Sequence, residues 1–253
     1  MSKSSRLLRP VWVLGLTASA LLGIAVNLLE PGSVQLLAIG LALLWLAAAT
    51  FGVAYERWGS RTALKVLLLI AAMGAAADTL GSVLGFPFGR FDYAAPAARV
   101  FAPLIWIVVG WNSIEMASAL FPKLSDPLER LLVVNVAALL SLTGALAWEP
   151  VISQIHPYRL WLDPGVYAAL PGFFLFGWFM MNFLAAALLI SRLPADKPQA
   201  HKGRDKEAFS NALTMLALFQ MPLAIADFRA GFYVPVFLSI NLLGGLAIYG
   251  ARR

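Results

Sequence analysis

The chain has 253 residues, of which 60% are hydrophobic and only 13% charged, with a mean hydropathy of +0.79. A soluble domain carries about 25% charged residues, so this composition describes an integral membrane protein. The sequence has no cysteine and only two histidines, which excludes disulfides, thiolate nucleophiles, thiolate metal sites and histidine-rich iron sites.

A membrane-crossing helix needs about 20 mostly apolar residues, and eight runs qualify. The first is 11–29, which is longer than a signal-peptide core and lacks a clear small-residue cleavage site. A turn, Glu30–Ser33, leads to the second run, 34–55, and the basic segment Glu56–Arg61 reads as the next loop. The third run, 64–84, carries Asp78, about 20 Å along a helix that rises 1.5 Å per residue. An ionisable group at that depth is costly enough to be a functional candidate, and it is suited to act as a general acid. Its other reading is a helix-to-helix hydrogen bond, or a pair with Arg90 or Arg99.

Gly81, Gly85 and Gly89 follow at helical spacing until Pro87, and such a row of small residues reads as a packing surface. Phe86, Phe88, Arg90, Asp92 and Tyr93 then make an aromatic and charged segment at the membrane boundary. The fourth run, 103–121, contains Trp111, Asn112 and Glu115. Asn112 and Glu115 share a helix face and either line a polar cavity or tie the helix to a neighbour. Pro122–Pro127 reads as a capped start for the fifth run, 131–148.

Glu149 closes the fifth run and Asp163 precedes the sixth, 166–190, with Tyr167 and Trp178 beside them. Paired acids at adjacent helix ends can share a site, although Asp163, standing before Pro164, is also a good cap. His156 next to a proline reads as structural. Residues 192–207 read as a flexible polar loop on the cytoplasmic side. The last two runs, 208–226 and 232–250, meet across five residues and form an antiparallel hairpin.

Eight crossings sort the cationic side chains fifteen to four between the two faces, with both termini on the richer side. The positive-inside rule then places both termini in the cytoplasm. The basic residues act as topology signals, so the net charge of +6 does not point to nucleic acid. Glu30, Asp78, Asp92, Glu149, Asp163 and Asp227 all fall toward the opposite face, more acid than loop solubility requires. The expectation is an all-α, polytopic bundle of about eight spans, forming one membrane domain over 1–253.

Two stretches resemble the membrane-bound carotenoid 1,2-hydratase family of carotenoid biosynthesis proteins. LGSVLGFPFGRFDY after Asp78, with Pro103 and Trp111 beyond it, resembles an acid followed by a Gly-Phe-Pro-Phe-Gly signature and a Pro-Leu…Trp pattern. AWE, LWLDPGVYAALP and FGWF, across Ala147–Trp178, resemble a second conserved segment. The chain departs in carrying Asp at 78 and Glu at 149 where the family pattern has the reverse. Ser153 and Gln154 replace an Asp-Pro, and Phe174 replaces an Asn.

The resemblance implies acid-catalysed hydration of a terminal isoprenoid double bond. Asp78 would be proton donor, and Glu149 or Asp92 would position water. Phe86, Phe88, Arg90, Tyr93, Trp111, Asn112, Glu115, Asp163, Tyr167 and Trp178 would line the substrate site. That chemistry calls for no cofactor or metal. The implied partners are a carotenoid of the lycopene or γ-carotene type and membrane lipid, with a homo-oligomer compatible. A cyclase or isomerase begins with the same protonation but excludes water. A lipid or carotenoid transporter or binding protein is the reading from a different class, and the sequence shows no clear inverted repeat to favour it.

Overall fold

A computed structural model describes residues 3–121, 126–163, 165, 167, 170–192 and 202–252. Among these described residues, eight helices are long and apolar enough to cross a membrane, as the hydropathy pattern requires. They are α1 (Lys3–Leu28), α2 (Ser33–Trp58), α3 (Ser60–Leu84) and α4 (Pro96–Leu120), followed by α5 (Pro127–Ile155), α6 (Gly172–Arg192), α7 (Lys202–Arg229) and α8 (Tyr233–Arg252). The chain is thus a multi-pass integral membrane protein.

Several boundaries differ from the sequence reading. Glu56, Arg57 and Trp58 belong to α2 rather than to a loop. The turn into α3 is made by Gly59 alone at φ 78°, a left-handed conformation that a side chain would strain. Helix α6 starts at Gly172, six residues later than its apolar pattern suggests, so Asp163 does not cap it. In the polar stretch 192–207, α6 continues to Arg192 and α7 begins at Lys202; residues 193–201 lie outside the described residues. The capped start at α5 is present: Asp126 accepts a hydrogen bond from the Leu128 amide at 2.9 Å. Residues 122–125 of that segment lie outside the described set.

Helix α4 is the most enclosed span and α8 the least, with 78% and 17% of their apolar windows buried. Helix α4 is therefore the axis around which the others pack. Its middle, Trp106–Trp111, winds as a π segment, and α5 ends in another, Val151–Ile155, just after Pro150. Wide turns of this kind occur mostly where a helix re-aims side chains. The indole of Trp106 fills the gap over Gly74 of α3, where a β-carbon would lie 2.6 Å from its Cδ1. Gly144 of α5 admits Val109 in the same way, at 2.7 Å. Close approach through small residues is what holds helices together when lipid is as apolar as they are.

The glycine row at 81, 85 and 89 divides its roles. Gly81 lets Phe91 pack on α3, where an added β-carbon would lie 2.7 Å from the ring. Gly85, at φ 76°, closes α3 by bonding its amide to the Gly81 carbonyl at 3.0 Å.

Between the helices lies one element that the hydropathy pattern hides. Strand β1 (Phe91–Tyr93) pairs antiparallel with β2 (Arg159–Trp161), aligning Phe91 with Trp161, Asp92 with Leu160 and Tyr93 with Arg159. This small ribbon ties the α3–α4 connection to the α5–α6 connection, at the membrane face opposite the α2–α3 turn.

Candidate functional site

The ribbon decides which side chains meet. Successive residues of a strand face opposite ways, so Phe91 and Tyr93 turn inward and Asp92 outward, as their burial shows. Asp92 stays exposed and accepts the amide of Tyr93 at 2.7 Å. The structure therefore does not bring it to the other acids. Arg159, opposite Tyr93, also turns inward and is 6% exposed.

Arg159 joins the two intramembrane acids. Its Nη2 donates to Asp78 Oδ1 at 2.7 Å, and its Nη1 donates to Glu149 Oε2 and Oε1 at 2.9 and 3.2 Å. The Tyr93 hydroxyl lies 2.6 Å from Nη2 and donates to Asp78 at 2.7 and 2.9 Å. Asp78, from α3, and Glu149, from α5, are 7% and 0% exposed. Neither Arg90 nor Arg99 pairs with Asp78; the partner is Arg159.

The guanidinium lies 4.5 Å from the centre of the Phe91 ring, 5.2 Å from Tyr93 and 5.9 Å from Trp161. Such contacts favour a cation withdrawn from water. Burial by itself works against the Arg159 charge, but Glu149, Tyr93 and Asp78 outweigh it and hold its pKa above the ordinary arginine value. Burial also pushes the Tyr93 phenol up, helped by Asp78 and opposed by Arg159, so the hydroxyl keeps its proton and donates.

From this cluster a continuous run of rings leads toward α4. Phe91 meets Trp161 at 5.1 Å, Trp161 meets Phe174 at 5.5 Å, and Phe174 lies 6.0 Å from Phe88 and 6.1 Å from Trp178. Trp178 then meets Trp106 at 5.2 Å and donates its indole N–H to the Ser141 carbonyl at 3.1 Å. Phe174, a departure from the expected Asn, is a link in this run. Against the outer side of α6 lies an open groove of about 870 Å3 lined by Asp163, Pro171, Gly172, Phe173 and Phe176.

The remaining predicted residues are dispersed. Asp163 pairs with Arg90 at the rim, accepting its amide at 2.6 Å and its Nε at 3.1 Å. The Arg90 backbone N–H chiefly, then its side chain, holds the Asp163 carboxyl below the usual value. Phe86 is 66% exposed. Trp111 is buried in the core.

Asn112 ties α4 to α2 through Thr50 at 3.1 Å. Glu115 sits at the opposite membrane end from Asp78, paired with Arg57 and accepting the Trp58 indole N–H at 2.5 Å. It also lines a cavity of about 180 Å3 with Glu56, Arg57, Glu207 and Asn211. Of the two readings for this face, Asn112 therefore follows the tie, and Glu115 both ties α4 to α2 and lines the cavity. His156 is structural, with Nε2 2.9 Å from the Val26 carbonyl and its ring bonded to Gln35. Tyr167 is half-buried, with its hydroxyl unpartnered among the described residues.

The residue that sequence reasoning missed is Arg159. One signal pointed to it: it is one of only four cationic side chains on a face with six acids, and it stands ten positions after Glu149. Its inward direction follows only from the strand pairing.

No curated protein and no solved structure matches the chain. The sequence model of the carotenoid biosynthesis protein family, however, matches residues 33–246, from the start of α2 into α8, and so includes every residue of the Asp78–Arg159–Glu149–Tyr93 cluster and its ring wall. The chain belongs to the carotenoid biosynthesis protein family, and its role lies in carotenoid biosynthesis.

Proposed function

We propose that the protein is a carotenoid hydratase, adding water across the terminal isoprenoid double bond of an acyclic carotenoid end. The observation that carries this reading is the sharing of one buried guanidinium by Asp78 and Glu149. Two carboxylates against one cation leave the cluster one positive charge short, and a single proton on the carboxyl pair makes it neutral. Buried charge is costly, so a proton at this place is a chemical resource rather than a passive cap.

In the reaction, the carboxyl pair gives its proton to the CH carbon of the trisubstituted alkene. The π electrons form the new C–H bond and leave a tertiary carbocation. Faces of Phe88, Trp161, Phe174 and Trp178 stabilise that cation. Water bonds to the tertiary carbon, and its surplus proton returns to the carboxylate, so the acid is regenerated and the product is a tertiary alcohol. Arg159 and Tyr93 act on the acids and not on the alkene; they are positioning residues. The open groove along Phe173 and Phe176 suits the rest of the polyene.

One observation favours a cyclase or isomerase as second reading. All four carboxylate oxygens of Asp78 and Glu149 already accept hydrogen bonds from Arg159 or Tyr93, which leaves water no dedicated acceptor there. Expression in a lycopene- or γ-carotene-producing bacterium, followed by chromatography and mass spectrometry, separates the readings. A mass gain of one water supports the hydratase. An unchanged mass with a new retention time supports the cyclase or isomerase. Unchanged pigment overturns both in favour of binding or transport.

A further inference from the structure

The ion cluster leaves a second cavity on its own membrane face without a role. A groove of about 400 Å3 opens where α1, α5 and α7 end, with Asn27, Glu30, His156 and Arg229 among the residues that line it. Asn27 braces it, since its Nδ2 donates to the Pro222 carbonyl at 3.2 Å and so ties α1 to α7. His156 is already engaged with the Val26 carbonyl and Gln35. Two charged side chains remain, Glu30 and Arg229, and both are exposed.

Arg229 gives Nη1 to the Asn27 carbonyl at 2.8 Å. Its other N–H donors have no partner among the described residues. Glu30 forms no ion pair with it or with any other described cation, although both line one groove. An anion and a cation that share a groove without closing on each other match a ligand that carries both signs.

Depth narrows that ligand further. The groove lies at helix ends, where a bilayer presents its headgroups. Toward the bilayer interior the α1–α7 seam is flanked by exposed Ile24 and Leu28 on one helix and exposed Ile225 and Phe228 on the other. Phe228 meets the exposed ring of Tyr233 edge-on at 5.7 Å, and tyrosine is at home at headgroup level. The surface is therefore polar and bipolar at the groove, and apolar below it.

We propose that this groove binds a zwitterionic phospholipid headgroup with a primary ammonium, of the phosphatidylethanolamine type. The phosphate accepts hydrogen bonds from the Arg229 guanidinium. The ammonium donates to the Glu30 carboxylate, and the acyl chains follow the α1–α7 seam. Phosphatidylglycerol lacks the cation, and the quaternary ammonium of phosphatidylcholine has no N–H to donate, so neither uses both side chains. Soluble phosphoethanolamine carries the same two charges and is the alternative source of this chemistry. The site is independent of which reaction the Asp78–Glu149 pair performs.

The test titrates full-length protein in detergent with the ethanolamine, choline and glycerol phospholipids, all with identical acyl chains, and counts bound lipid by native mass spectrometry. Wild type is expected to hold phosphatidylethanolamine about tenfold more tightly than the other two, the scale of one charge-assisted hydrogen bond. Glu30→Gln abolishes that preference and leaves phosphatidylglycerol binding unchanged, whereas Arg229→Gln weakens all three. Displacement of the lipid by excess phosphoethanolamine makes the soluble headgroup a sufficient ligand; retention assigns the site to the intact lipid. Equal affinities in wild type, or a preference that survives Glu30→Gln, overturn the site. Should Arg229→Gln unfold through loss of its bond to Asn27, Glu30→Gln decides alone, because Glu30 makes no hydrogen bond among the described residues.

Discussion

Arg159 reaches across 81 positions of chain to place its Nη2 2.7 Å from Asp78 Oδ1, while its Nη1 holds Glu149. One guanidinium thus fixes the spacing of two acids carried by two different helices.

Removing that guanidinium strands two buried carboxylates. Arg159→Met is expected to cost about 3–5 kcal/mol of stability, the range for breaking a buried ion pair from one side. Thermal unfolding in detergent measures it. Adding Asp78→Asn and Glu149→Gln to Arg159→Met recovers part of the loss, because no charge is then left unpaired. Arg159→Lys fails to rescue, since an ammonium cannot hold both acids in the fork that the guanidinium provides.

Asp78→Asn and Glu149→Gln each lower carotenoid conversion by about 10²–10⁴-fold, the usual contribution of a general acid. Pigment analysis of the producing strain reads this, with protein level checked by immunoblot. Asp92→Asn leaves conversion at the wild-type level, because Asp92 faces away from the cluster.

Gly177 of α6 supports the turn at Pro87. A β-carbon there would meet the Pro87 carbonyl carbon at 2.7 Å, and backbone cannot move aside as a flexible side chain can. Gly177→Ala is expected to cost about 1–3 kcal/mol, whereas Gly172→Ala, with open space around it, leaves the melting temperature nearly unchanged.

The Arg90–Asp163 pair at the rim has a defined pH response. Its folded pKa is depressed, so Asp163 contributes stability above the ordinary carboxylate range. That contribution is lost as pH falls through the depressed value. The protection factor of the Arg90 amide, the ratio of its intrinsic to its observed exchange rate at each pH, should therefore stay constant between about pH 5 and 8 and fall only below about pH 4. Asp163→Asn removes the acid-side step.

The cationic residues divide fifteen to four between the membrane faces, which predicts cytoplasmic termini. Tags at either end are then resistant to protease added outside intact cells and cleaved after lysis. Cleavage in intact cells would reverse the orientation.

The eight spans were legible because a long apolar run has one outcome in lipid, where every backbone group must be satisfied within the segment. The acids were legible for a related reason: Asp78 stood out against its apolar neighbours, and Glu149 closed a run. Their meeting was not legible. It depends on a three-residue ribbon in the register Phe91↔Trp161 and Tyr93↔Arg159, whose strands are distant in sequence and too short to leave a periodic signal. Asp92 misled for the same reason. The family resemblance gave it a share in positioning water, yet alternation along the strand turns Asp92 outward while Tyr93 faces the cluster. Glu115 lies at the opposite membrane end from Asp78, a difference in depth that can be counted residue by residue along a helix.

The distance in sequence between Asp78 and Arg159 also sets an order of events during synthesis. At about 5–20 residues per second, the 81 positions separating them take about 4–16 s to make. The third span thus enters the bilayer with its acid long before its partner exists. Assembly must tolerate that interval by keeping the span beside the insertion machinery. Insertion of α3 should accordingly be slow and strongly dependent on the chain reaching α6, a feature of biogenesis that the finished bundle conceals.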